Sequence, residues 1–204
     1  MKGLLLKGII FLSLTTSLLL AGGCGTSRYA KFYTLSPLED KNAERNVKTA
    51  QHDIGIGIGP IKLPEQLVRP QIVTRASRNE LKLSEFNQWA GSLVDDFSNV
   101  FAENLSILLN TDRIFIFPWR GPVSVQYRVE VGVSRFDGAL GEGAVLNARW
   151  MIYGAGSHKM LVMKRSTIKE PMNANTYEAM VAAQSRAVGE LSREIAKAIR
   201  ALSE

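Results

Sequence analysis

Apolar and polar positions alternate most clearly over residues 123–134, which predicts a strand with one buried face. Valine and tyrosine occupy one set of positions, whereas serine, glutamine, arginine and glutamate occupy the other. Because successive side chains of a strand point to opposite faces, this pattern is typical of an antiparallel sheet with one face in water. Further strands are predicted over 145–153 and 160–168, with glycine-rich stretches between them, so the region is expected to form a three-stranded meander.

Two segments carry apolar residues at every third or fourth position, which predicts two long helices. The first is expected to begin with Ser84 as its N-cap and to end before Asn110, with Phe86 and Trp89 in its apolar stripe. The second is expected over about 176–202, with charged residues on the face opposite its stripe. Both stripes are expected to cover the sheet.

Shorter patterns complete the expected fold. Residues 31–35 and 114–117 read as strands, residues 71–74 and 81–83 as a hairpin, and residues 36–51 as a polar loop. With no internal repeat and no change of composition after residue 52, these elements predict a single compact α+β domain. Its sheet is expected to be antiparallel or mixed and packed with two long helices.

The stretch IGIGIGP, residues 54–60, predicts a strand with one bare face. Isoleucine and glycine alternate, so Gly55, Gly57 and Gly59 share a face that has no side chains. A dinucleotide-binding loop requires the spacing GxGxxG before a helix, and Pro60 interrupts any such reading. A bare strand face is typical of close approach by another backbone, which belongs either to a helix of the same chain or to another subunit.

The first residues have the form of a secretory signal. Lys2 and Lys7 are the only charges before an apolar run that ends in small residues, and the run is shorter than a membrane-spanning helix requires. Cys24, the only cysteine, follows Leu-Ala-Gly-Gly, which resembles the lipobox of bacterial lipoproteins. An ordinary signal peptide with a free cysteine nearby and an uncleaved anchor are the alternatives.

This reading divides the chain into three parts. Residues 1–23 are predicted to be a lipoprotein signal peptide, residues 24–52 a tether with the first strand and a loop, and residues 53–204 the rest of the domain. Acylation of Cys24, with chains such as palmitate, would explain a lone cysteine in a secreted protein. Gly25 stands where aspartate marks retention of many lipoproteins in the inner membrane, so an outer-membrane location is expected.

Charge and chemistry narrow the possible functions. The chain has 25 Lys and Arg against 19 Asp and Glu, and this modest, dispersed excess does not indicate nucleic-acid binding. His52 and His158 lie far apart, and the sequence contains neither HExxH nor GxSxG. No nucleophile, base and orienting group can be assembled, so we expect neither an enzyme nor a cofactor or metal site.

Several stretches together resemble the PqiC/YmbA family, the ABC-type transport auxiliary lipoproteins of MCE-type systems. They include Phe32–Leu35 after the cysteine, Ile56–Pro64, Leu67–Arg75 and the FPW motif at 117–119. The C-terminal stretches YEAMVAA, from Tyr177, and LSREIA, from Leu191, are also similar to the family. The resemblance covers nearly the whole chain after Cys24.

The resemblance implies a non-catalytic lipoprotein on the periplasmic face of the outer membrane. Such a protein would receive an MCE-domain transporter that carries lipids between the two membranes and supports envelope integrity. Gly55, Gly57, Gly59 and Trp119 are candidate partner contacts, although Trp119 also fits a core or turn-packing aromatic. A homo-oligomeric ring would suit a tubular partner, and a periplasmic carrier that holds lipid in its own cavity is the alternative function.

Overall fold

The computed structural model describes residues 29–39, 54–119, 123–154, 156 and 159–203. The predicted signal peptide, Cys24 and most of the predicted polar loop lie outside these residues. The described residues form one compact α+β domain, as expected, but its strands are divided between two mixed sheets. The strands are β1 Lys31–Tyr33, β2 Ile56–Lys62, β3 Gln71–Arg75, β4 Leu81–Trp89, β5 Ile114–Ile116, β6 Tyr127–Ala139, β7 Gly143–Gly154 and β8 Met160–Pro171.

The larger sheet has the strand order β5-β2-β6-β7-β8. Strands β6, β7 and β8 form the predicted antiparallel meander, whereas β2 runs parallel to both of its neighbours. β6 begins at Tyr127 rather than at residue 123, and it continues to Ala139. A register shift at Ser134 reverses the alternation, so that Val133 and Phe136 are both buried. The simple alternation therefore ends at 134 although the strand does not.

The smaller sheet has the order β1-β4-β3. The predicted hairpin forms β3 and β4, and β1 pairs in parallel with the end of β4. One ion-pair cluster joins the two sheets: Arg75 of β3 contacts Asp137 of β6 at 2.7 Å, and Arg135 contacts the same carboxylate at 2.8 Å. Burial raises the pKa of Asp137, but hydrogen bonds from Arg75 and Arg135 outweigh it and hold the pKa below its ordinary value.

Two helices cover one face of the larger sheet. These are α1 Leu93–Leu109 and α2 Tyr177–Ser203, and α2 matches the prediction closely. Their buried stripes meet the inward residues of the sheet, where Trp150, Phe97 and Phe101 are among the largest fully buried side chains. The edge-to-face contact of Phe97 with Phe136 links α1 to the sheet, with ring centroids 5.4 Å apart.

The prediction that α1 begins at Ser84 is wrong. Residues 81–89 form β4, and Ser92 is the N-cap, whose hydroxyl accepts a hydrogen bond from the Asp95 N–H at 3.3 Å. Ser84 does accept a hydrogen bond from the N–H three residues later, on Asn87, as an N-cap would. That bond closes an irregularity within β4 instead, because pairing with β1 and β3 keeps these residues extended.

Candidate functional site

The structure brings together the four residues that the sequence analysis named as partner contacts within the described chain. Gly55, Gly57 and Gly59 are buried in or just before β2, and Trp119 lies against Gly57. Their isoleucine neighbours Ile56 and Ile58 point into the core and are completely buried. Cys24 lies outside the described residues.

The bare face of β2 is occupied by a loop of the same chain. A Cβ added to Gly57 would lie 2.9 Å from Cζ2 of Trp119, and one added to Gly59 would lie 2.8 Å from Cβ of Phe117. At Gly55 the Ser124 carbonyl oxygen would be 2.6 Å from such a Cβ. The close approach expected from the glycines is therefore made by Phe117, Trp119 and Ser124 of the same chain, rather than by a helix.

Two aromatic residues at this position, Phe117 and Trp119, form a surface that we call the aromatic platform. The rings of Phe117 and Trp119 meet edge to face at 89°, with centroids 5.7 Å apart. Trp119 is half-buried and donates its indole N–H to the Phe115 carbonyl at 3.3 Å. Phe117 is 49% exposed. The platform is thus fixed from below by the glycines and open to solvent above.

Sequence reasoning named Trp119 but not Phe117 as a contact candidate. The motif FPW contains the missing signal, since Pro118 separates two aromatic residues that follow an edge strand. What the sequence does not show is that β5 pairs in parallel with β2. This pairing of distant segments places the motif on the glycine face.

The sheet surface beside the platform is polar and basic. Arg128 stacks over the ring of Tyr153 at 5.0 Å and forms an ion pair with Glu130 at 3.0 Å. Further along the same face, Arg149 and Arg165 are direct cross-strand partners, and both are exposed. This surface is therefore polar and carries exposed positive charge.

The segment that follows β1 is held tightly between the two helices. The Asp96 carboxylate of α1 accepts hydrogen bonds from the Thr34 hydroxyl at 2.9 Å and the Leu35 N–H at 2.7 Å. Asn104 accepts a bond from the Leu38 N–H at 2.7 Å, and Leu35 is buried. The chain that leads from Cys24 is therefore fixed to the domain as soon as it enters the fold.

Two further properties concern only the part of the chain that the structure describes. Its helices are too short or too polar to cross a bilayer. Within the same residues, no three histidine, cysteine, aspartate or glutamate side chains lie close enough together to hold a metal ion.

The family is decided by a match to residues 33–196, nearly the whole domain. The matching family model is described as the ABC-type transport auxiliary lipoprotein component. The chain belongs to this family. Family members are auxiliary lipoproteins of ABC-type transport, so membrane anchoring and an accessory place in transport follow from the description.

Solved structures confirm the fold of this family. An uncharacterized protein shares 18% identity and a TM-score of 0.67, over 84% of this chain and 99% of that one. Protein XCC0632 from Xanthomonas campestris shares 15% identity and a TM-score of 0.59, over 82% of this chain and 91% of that one. At these identities the likeness concerns the fold alone. No curated protein matches the sequence significantly.

Proposed function

We propose that this chain is an outer-membrane lipoprotein that docks an MCE-type lipid transporter at the periplasmic face of that membrane. The observation that carries the proposal is the aromatic platform, in which two aromatic side chains pack on the buried glycines of β2 and remain accessible to solvent. The chain that presents them belongs to a family of transport auxiliary lipoproteins. Rigid aromatic residues favour interface centres because they bury a large area at a small entropic cost. The function is positioning, without a chemical step.

The anchoring part of the proposal concerns Cys24. Its lipobox-like context and the following Gly25 favour acylation and transfer to the outer membrane. Metabolic labelling with an alkyne analogue of palmitate is expected to mark the wild-type chain and to leave Cys24→Ala unmarked. In fractionation, Cys24→Ala is expected to leave the outer-membrane fraction, and membrane-barrier function is expected to weaken. Unchanged fractionation and barrier function would contradict the anchoring role.

The docking part is tested with purified proteins. The chain is expected to bind the periplasmic region of an MCE-domain protein from the same transport system in a titration. The double variant Phe117→Ala with Trp119→Ala is expected to weaken binding at least about 30-fold, as the loss of a hot spot of about 2 kcal/mol does. Met163→Ala is the matched control, since Met163 is apolar and 52% exposed but lies on β8.

A ring of identical subunits is part of the same proposal. Light scattering of the purified chain is expected to give a mass that is a multiple of the 22.5 kDa sequence mass, corrected for removal of the signal peptide. A monomer at working concentration would count against a ring. A monomer could still dock the transporter as a single subunit, and the binding titration tests that separately.

The alternative function is a lipid carrier, and the described cavities favour docking over it. One cavity of about 610 Å³ includes Arg75, Arg78, Arg135 and Lys169 in its walls. A second, of about 590 Å³, lies over Gly132 between Arg149 and Arg165. Acyl chains prefer enclosed apolar walls. Native mass spectrometry should therefore find the purified chain without bound lipid, whereas a carrier would retain one.

A further inference from the structure

Exposed aromatic residues gather where the chain enters the fold. Tyr29 is 92% exposed, Phe32 is 63% exposed and Phe86 is 40% exposed. We call these three residues the entry patch. Phe32 lies on β1 opposite Gln88 of β4, and Phe86 comes two residues before Gln88. Tyr29 lies two residues before Lys31, the first residue of β1. Clustered exposed apolar residues mark interaction sites, whereas single ones do not.

An irregularity in β4 presents Phe86 to solvent. Two steps along β3, from Gln71 to Val73, correspond to five steps along β4, from Gln88 to Leu83. The Ser84 hydroxyl closes the extra residues by accepting bonds from the Asn87 backbone N–H at 3.1 Å and side-chain amide at 2.9 Å. Bulges of this kind redirect side chains and are typical of functional positions. Phe86 is therefore held outward by the backbone.

Chain length limits how far the entry patch lies from Cys24. Tyr29 follows Cys24 by five steps along the chain. At about 3.6 Å per residue, their Cα atoms are at most about 18 Å apart. Residues 34–38 are fixed to α1 by the bonds of Asp96 and Asn104 and to α2 by the Ser36 N–H, which donates to the Ser185 hydroxyl at 3.1 Å. The tether therefore enters the domain at a fixed place on its β1 side.

We propose that the entry patch inserts into the headgroup region of the bilayer that holds the acyl chains of Cys24. The inference depends on the proposed acylation and extends it, because it assigns a membrane-contact face to the folded domain. Tyrosine and other aromatic side chains are favoured at the boundary between headgroups and acyl chains. The bilayer is thus the occupant that tether length and aromatic character both favour.

The lone cysteine makes a direct test possible. Once the Cys24 sulfur is acylated, a cysteine introduced elsewhere is the only free thiol in the chain. Phe32→Cys and Phe86→Cys are labelled with nitrobenzoxadiazole on the lipidated chain and placed in vesicles of phosphatidylethanolamine and phosphatidylglycerol. Met163→Cys is the matched control, an exposed apolar position on β8. All three positions are exposed, so the substitutions leave the core intact.

The expected result is a blue-shifted emission at positions 32 and 86 and at least about twofold quenching by headgroup-spin-labelled lipid. Position 163 is expected to emit as in water and to remain unquenched. Water-like emission at 32 and 86 would overturn the proposal. A blue shift without quenching by lipid would overturn it too, because a second copy or another protein would then cover the patch.

Failure of the underlying acylation gives a different signature. The chain without an introduced cysteine would then react with the label, because Cys24 would be a free thiol. If that chain does not react and positions 32 and 86 remain water-like, acylation stands and only the membrane-contact face is rejected.

Discussion

Gly57 is a position where a single methyl group meets the aromatic platform. The new Cβ of Gly57→Ala would lie 2.9 Å from Trp119, too close for the indole ring to keep its place. We expect the free energy of unfolding to fall by about 1–3 kcal/mol, the usual cost of overpacking. The fluorescence of Trp119 should change as the ring moves. Urea unfolding followed by fluorescence measures both effects.

Gly132 provides the matched control for this substitution. It also lies in a strand of the larger sheet, but an added Cβ would meet only the Arg149 carbonyl oxygen, at 3.8 Å. Gly132→Ala is expected to leave stability unchanged or to raise it by up to about 1 kcal/mol, since alanine restricts the unfolded chain. Equal losses in the two variants would show that Gly57 does not act through Trp119.

Asp137 links stability to pH. Because its pKa is lowered in the folded state, its contribution to stability is complete above the unfolded pKa, near 3.8, and is lost as the pH falls through the folded value. Asp137→Asn is expected to lose about 3 kcal/mol at about pH 7, since Arg75 and Arg135 lose their charged partner. The difference from wild type should shrink as the pH falls to about 3. Urea unfolding at both pH values measures it.

Glu130→Gln is the control for Asp137→Asn. Glu130 pairs with Arg128 at the sheet surface, where both side chains retain solvent contact. Such pairs contribute about 0–1 kcal/mol. If Glu130→Gln lowers the free energy of unfolding as much as Asp137→Asn does, the Asp137 cluster does not contribute more to stability than an ordinary surface ion pair.

At the scale of secondary-structure elements, Asp96 fixes the segment after β1 to α1. Asp96→Ala removes the acceptor of both the Thr34 hydroxyl and the Leu35 N–H. We expect a loss of about 1–3 kcal/mol in stability and faster hydrogen exchange at the Leu35 amide, because a bonded backbone group loses its partner. Hydrogen exchange followed by NMR measures the amide directly.

Asp95→Ala is the neighbouring control. Asp95 and Asp96 both lie in the first turn of α1. Each substitution to alanine therefore removes a negative charge that stabilises the helix N-terminus by about 0.3–1 kcal/mol. Exchange at the Leu35 amide should remain slow in Asp95→Ala. If both variants accelerate it equally, the charge at the helix end rather than the bond to Leu35 holds the segment.

The start of α1 shows how a correct local signal can give a wrong element. Ser84 forms the hydrogen bond that an N-cap forms, and Phe86 and Trp89 continue the apolar spacing of the helix. Pairing with β1 and β3 decides the backbone instead, and these partners are distant or separated by a turn. Gly91 and Ser92 are the better signal, since they break the strand and cap the helix.

At the scale of the whole molecule, the two sheets are expected to unfold together. They share the core and the Asp137 cluster, so neither sheet is independently stabilised. Trp89 reports on β4 and Trp150 on β7. Variants that keep only one of the three tryptophans, with phenylalanine at the others, should each give the same urea midpoint by fluorescence as by circular dichroism. Two separate midpoints within one variant would indicate that the sheets unfold independently.

The sequence predicts the meander, the hairpin and α2 because their signals are local: alternation, turn residues and helical spacing. The parallel neighbours of β2 are not predictable in this way, since β5 and β6 lie far along the chain. The position of Trp119 against Gly57 depends on the pairing of β5 with β2. Glycine alternation alone therefore indicates a close approach but not which residues make it.

The hydrogen bonds that hold the segment after β1 to α1 have a mechanical consequence. A pull on acyl chains at Cys24 would reach the domain through β1 and then through the Asp96 and Asn104 bonds. Along the strand axis, the β1–β4 hydrogen bonds are loaded in shear and must yield together. The tether would thus transmit tension between membrane and transporter into the body of the fold, instead of fraying residue by residue.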